Sequence, residues 1–162
     1  MCVENLLQTN QQTILGKLFE FLNRNRIEFS VLGNSTTYPE IYSGDIDLAV
    51  YQHDFDRMAD VLLTFCQETG CQLVQKLQHE KTACAYVSAH LGSGCSPQLL
   101  MVDICSDYYR NGQKLLDAKE LLLGRISEKG GVFSVPPPSV GFIYYLLKKL
   151  KNRILPNGTP AI

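Results

Sequence analysis

The chain has 162 residues, 45% of them hydrophobic, which is enough for one core and one ordinary domain. A formal net charge of -1 speaks against a protein held to nucleic acid mainly by its global field. No apolar run approaches the roughly 20 residues that cross a bilayer, so no membrane association is expected.

Residues 11–24 place Ile14, Leu15, Leu18, Phe19 and Leu22 at helical spacing, with Gln12, Lys17, Glu20 and Asn23 outside. Ile27 to Leu32 reads as a short strand ended by Gly33, and the stretch from Asn34 to Gly44 is a loop by composition. Asp45 to Tyr51 is the second strand. Asp54 is then placed to cap a helix that runs through Met58, Val61, Leu62 and Phe65 to a stop at Gly70. Residues 71–77 and 82–90 read as a hairpin turning at His79-Glu80-Lys81. Leu91 to Pro97 is a loop, and Gln98 to Ser106 is the most apolar strand. A short helix over Asp117 to Leu123 and a glycine turn at Gly130-Gly131 follow. Pro136-Pro137-Pro138 leads into a helix from about Ser139, its cap, to Asn152. The apolar face of that helix is Val140, Ile143, Tyr144, Leu147 and Leu150; Lys148, Lys149, Lys151 and Arg153 suit the dipole at its end. Strands and helices in this mixed order predict a compact α/β or α+β sheet domain. Residues 1–135 form its body, and 136–162 a C-terminal helix and tail.

The N-terminus lacks a basic segment followed by an apolar one, so no secretory signal is read. Six cysteines include no Cys-x-x-Cys pair, and Cys84 and Cys105 lie in apolar strands as small hydrophobes. Reduced thiols in a cytoplasmic protein are the expectation. His53, His79 and His90 lack zinc-ligand spacing and read as ordinary polar or turn residues.

The chemistry concentrates in three acids. Strand geometry sends Asp45 and Asp47 to one face, about 7 Å apart along the backbone. A strand otherwise made of Ile46, Leu48, Ala49 and Val50 has no structural need for two charges on one side. Asp103 sits alone in Leu99-Leu100-Met101-Val102-Asp103-Ile104, where an ionised acid is costly unless paired. If the two strands are neighbours, three carboxylates at about 5 Å spacings repel by roughly 3 kcal/mol per pair at an effective dielectric near 20. No lysine is adjacent to either motif in sequence. A divalent cation relieves the repulsion, and hard oxygen ligands select Mg²⁺ or Mn²⁺. Two such ions can activate an attacking oxygen and neutralise a triphosphate, which is phosphoryl or nucleotidyl transfer. Upstream, Gly33-Asn34-Ser35 offers a turn whose backbone N–H groups and Ser35 hydroxyl can bind phosphate.

Strand-glycine, a ten-residue gap, acid-apolar-acid-apolar and then apolar-acid-apolar is an ordered set that resembles the nucleotidyltransferase superfamily related to DNA polymerase beta. The likeness runs over roughly residues 11–110; Asn34 stands where glycine or serine is usual, with Ser35 one place later. The resemblance implies a mixed β-sheet flanked by helices. It implies that Asp45 and Asp47 hold the metals that position an NTP, with ATP the expected one, and that Asp103 completes the second metal site and helps deprotonate an acceptor hydroxyl. Phosphate binding falls to Gly33, Asn34 and Ser35. Val135-Pro136-Pro137-Pro138 leading into Phe142 to Lys149 also resembles bacterial members associated with surface-polysaccharide gene clusters, in which further helical sequence follows the domain. On that likeness the last helix is the start of a missing helical region.

Three functions stay open on the sequence. One is a Mg²⁺-dependent transferase moving NMP from an NTP to a hydroxyl on a small molecule, sugar or protein. A second is a silent module that keeps the fold and binds a nucleotide or partner without turnover. The third, a toxin-like enzyme acting on RNA, sits poorly with the near-neutral charge. Tyr108-Tyr109-Arg110, Tyr38 and Tyr42 are near enough in sequence to reach a base or acceptor, and equally suited to packing.

Overall fold

The computed structural model describes residues 4–42, 44–90 and 98–150, with side chains from residue 14 onward except 98. Ser43, the loop expected over 91–97, and Lys151, Asn152 and Arg153 at the end of the last predicted helix lie outside these residues.

Helix α1 (Glu4–Arg24) starts seven residues ahead of the predicted 11–24, because no proline or glycine between residues 4 and 15 interrupts it. Its buried stripe is the predicted Ile14, Leu15, Leu18, Phe19 and Leu22, joined by Phe21. Strand β1 (Phe29–Leu32) and strand β2 (Ile46–Val50) follow, so Asp45 stands one residue before the strand rather than inside it. Helix α2 (Gln52–Thr69) begins ahead of Asp54, which is therefore not its cap. Asp54 is instead buried in the first turn, where its Oδ1 accepts from Arg57 Nε and Nη2 at 3.0 and 2.6 Å. A carboxylate there favours the helix N-terminus. Gly70, at φ 71°, ends α2 as predicted, its N–H donating to Cys66 O.

Strands β3 (Cys71–Glu80) and β4 (Ala83–His90) pair antiparallel. Their turn is Lys81-Thr82, not His79-Glu80-Lys81, so His79 belongs to a strand. Strand β5 (Gln98–Cys105) completes a mixed five-stranded sheet of order β1-β2-β5-β4-β3, in which β2 and β5 run parallel. The fold is α+β, a mixed sheet flanked by helices.

Two small hairpins were not predicted. Strands β6 (Tyr108–Arg110) and β7 (Gln113–Leu116) meet through Asn111-Gly112, both in the left-handed region at φ 50° and 72°. Asn-Gly is a strong hairpin signal, and these strands are simply too short to show alternation. Asp117 caps α3 (Ala118–Leu122) in a reciprocal box with Glu120. Strands β8 (Ile126–Glu128) and β9 (Phe133–Val135) flank the Lys129–Gly131 turn, and β9 lies beside β1. Helix α4 (Pro138–Leu150) starts on the third proline rather than after a Ser139 cap; proline suits a first helical turn because its N–H would go unpaired there.

The sheet has two unequal faces. Ile46, Leu48 and Val50 of β2, with Leu100, Val102 and Ile104 of β5, face α1 and α2 and join Leu15, Leu18, Phe19, Met58 and Phe65 in the main core. On the other face Ala49 and Cys105 meet Leu32, Leu116, Leu121 and Tyr144 in a much smaller cluster. Cys66, Cys71, Cys84 and Cys105 are buried free thiols. Among the described residues no helix is long and apolar enough to cross a membrane.

Candidate functional site

The parallel register between β2 and β5 sets Asp47 directly opposite Asp103. Register partners project from the same side of a sheet, so both carboxylates leave on the face away from α1 and α2. Asp45, two residues ahead of Asp47, joins them, and all three line one cavity of about 440 Å³. The structure thus brings together the three acids singled out by their spacing.

Their mutual repulsion shows in Asp103. Burial, then Asp47 and then Asp45 raise its carboxyl above the ordinary range, while His79 and Lys148 pull it down. Both of these counter-charges escaped the sequence reading. His79 lines the cavity because β3 runs three residues past its predicted end. Lys148 comes from α4, 101 residues from Asp47, and its ammonium donates to Asp47 Oδ2. The sequence contained a signal for it: Lys148 lies one helical turn beyond Tyr144, so an inward Tyr144 carries Lys148 to the same side.

Tyr144 is the buried anchor of α4, its ring edge-on to Tyr108 at 5.0 Å between centroids. Burial and then Asp47 raise its phenol far above the usual range, so it remains a neutral hydroxyl beside the acids. Lys148 Nζ lies 5.8 Å from the Tyr144 ring centroid, a cation–π contact that helps fix it. Tyr108 and Tyr109 also line the cavity, whereas Arg110 turns away and donates from Nη1 to Leu147 O at 3.0 Å. Tyr38 is buried, its phenol raised by burial and then by Asp47 and Asp45; Tyr42 packs against the main core.

The expected phosphate turn lies elsewhere. Gly33, Asn34 and Ser35 line a second cavity, of about 370 Å³, together with Lys129, Gly141 and Tyr145. Gly33 takes φ 84°, a conformation glycine adopts without strain. Asn34 is spent on its own turn, its Oδ1 accepting from Thr36 N at 3.3 Å and Thr36 Oγ1 at 3.0 Å. The glycine turn is nonetheless close to the acids: a β-carbon on Gly33 would stand 4.0 Å from Asp47 Oδ2.

The donor chemistry fits a hard divalent cation, since three carboxylates share the cavity and one of them is raised by burial and then by the other two. As they stand, no three His, Cys, Asp or Glu side chains among the described residues form a ready ligand group. The positive charge at Asp47 is that of Lys148.

No family model matches the sequence, and no curated protein matches it. Among solved structures the chain is similar to an antigenic nucleotidyltransferase-like protein from Paracoccidioides brasiliensis, with 19% identity and a TM-score of 0.39. The match covers 68% of this chain and 61% of that one, so the chain spans less than two thirds of that protein's length.

Proposed function

We propose that the chain is a Mg²⁺-dependent nucleotidyltransferase, moving NMP from an NTP to a hydroxyl on a small molecule, sugar or protein. The observation that carries this reading is the Asp47–Asp103 register across parallel strands, with Asp45 beside it in the same cavity. Asp45, Asp47 and Asp103 would hold the cations, which when bound supply charge neutralisation for the triphosphate. Asp103, its carboxyl raised by burial and then by Asp47 and Asp45, would take the acceptor hydroxyl's proton. The acceptor oxygen then attacks the α-phosphorus, the bond from that phosphorus to the bridging oxygen breaks, and pyrophosphate leaves. Gly33 and Ser35 would bind the outgoing phosphates through backbone N–H groups and the Ser35 hydroxyl.

The test is pyrophosphate release across the four NTPs with Mg²⁺ or Mn²⁺ and cell-extract acceptors. Release should need the metal and vanish in Asp47→Asn and Asp103→Asn. A second reading, a silent nucleotide-binding module, draws on the pairing of Asp47 with Lys148 and on Asn34 being occupied by its own turn. ATP binding with no pyrophosphate from any NTP would favour it.

A further inference from the structure

One helix borders both of the cavities that a nucleotide would share. Gly141 and Tyr145 of α4 line the cavity at Gly33-Asn34-Ser35, while Tyr144 and Lys148 line the acid cavity. The two pairs form adjacent stripes of α4, each with i,i+4 spacing, so the helix borders both cavities along neighbouring faces. Asp47, whose Oδ2 Lys148 holds, lines the acid cavity, and a β-carbon on Gly33 would stand 4.0 Å from that oxygen. We propose that α4 is an inhibitory bar. Lys148 takes the cation position at Asp47, and the helix keeps a triphosphate from reaching both the glycine turn and the acids until a divalent cation with its nucleotide displaces it.

Charge and packing both favour such a displacement. One ammonium against three carboxylates leaves two negative charges uncompensated, and a divalent cation compensates them better. The ion pair is open to water at its lysine, whose side chain is 51% exposed against 18% for Asp47, and a pair open on one side gains only modestly. Of the whole helix only Tyr144 is buried. The rest of its anchorage is the half-buried Val140 and Leu147 against the small cluster and the bond from Arg110 to Leu147 O. Phe142 at 61% and Tyr145 at 52% exposed add little anchorage.

This inference rests on reading the acid cavity as a divalent-cation site, and the experiment separates the two. Mn²⁺ affinity is measured by calorimetry, without nucleotide, on the wild-type chain, Lys148→Met, Lys148→Arg and Asp47→Asn. Lys148→Met should bind about tenfold tighter than wild type, the effect of removing one positive charge beside the cation. Lys148→Arg should stay near wild type, and Asp47→Asn should lose binding. Amide exchange across residues 138–150 should speed up in the wild-type chain when Mn²⁺ and an α,β-methylene NTP analogue are added together. Equal or weaker Mn²⁺ binding by Lys148→Met, or unchanged exchange in α4, would overturn the bar and leave the cation site standing. Absence of Mn²⁺ binding in every chain would overturn both.

Discussion

The two faces of the sheet do opposite work. Against α1 and α2, Ile46, Leu48 and Val50 of β2 and Leu100, Val102 and Ile104 of β5 are apolar and buried in the main core. On the opposite face the same two strands present Asp47 beside Asp103, then Ala49 beside Cys105, under a thin cover of α3, α4 and the β6–β7 hairpin. Farther along this face Leu99 and Met101 are exposed. Stability is thus concentrated where chemistry is absent, and the face that carries the charges stays loosely closed. A strand reconciles the two because its period of two residues separates the functions without lengthening the chain.

The contrast is sharpest for core truncation. Phe19, fully buried between Phe29 and Phe133, should lose about 3–5 kcal/mol as Phe19→Ala in urea unfolding. Phe142→Ala, on the exposed side of α4, should stay within about 0.5 kcal/mol. Comparable losses would mean that the two faces share the stability evenly. Next in size is Gly33→Ala: at φ 84° a side chain costs about 1–2 kcal/mol, while a methyl meets Asp47 Oδ2 only at ordinary contact distance. A loss well above that range would indicate a clash instead of backbone strain.

Asp47→Ala should change stability by no more than about 1 kcal/mol in metal-free buffer. It removes an exposed-side ion pair with Lys148 and, in the same step, a repulsion on Asp103. Metal-dependent NTP binding should disappear nonetheless. Severe destabilisation would make the acid structural.

Asp103 gives a pH test of the open face. Its carboxyl is raised in the folded chain, so the folded state holds that proton more tightly than the unfolded state does. Stability therefore falls as pH climbs from about 3.9 through the folded value, and the loss is complete above it. In chelator-containing buffer Asp103→Asn should remove that part of the fall, leaving the variant equal to or more stable than wild type at pH 7. A wild type that gains stability over the same window relative to the variant would reverse the sign. The smallest effect expected is on the Cys105 thiol, which burial pushes up to about 12. Ellman's reagent at pH 8 should leave it unmodified in the native chain and reach it only after unfolding.

Much of the frame was legible because its signals are local. The α1 stripe, the Gly70 stop and the apolar β5 follow from periods of 3.6 and 2 and from glycine's freedom at positive φ. The short hairpins at Asn111-Gly112 and Lys129–Gly131 were missed, since strands of three or four residues carry too little pattern. The hairpin at Lys81-Thr82 was set two residues early, and that error hid His79 from the acid cavity.

By itself the sequence determined that three acids had to be accommodated and that Asp45 and Asp47 stood two residues apart, although Asp45 proved to lie one residue ahead of the strand. Only the tertiary structure decided what accommodates them. The parallel pairing of β2 with β5 brought Asp103 opposite Asp47, and the return of α4 across that face brought Lys148 to Asp47 and gave the acid cavity and the glycine-turn cavity a shared wall. Electrostatic partners are chosen by distance in space, and a separation of 101 residues leaves no trace in local spacing.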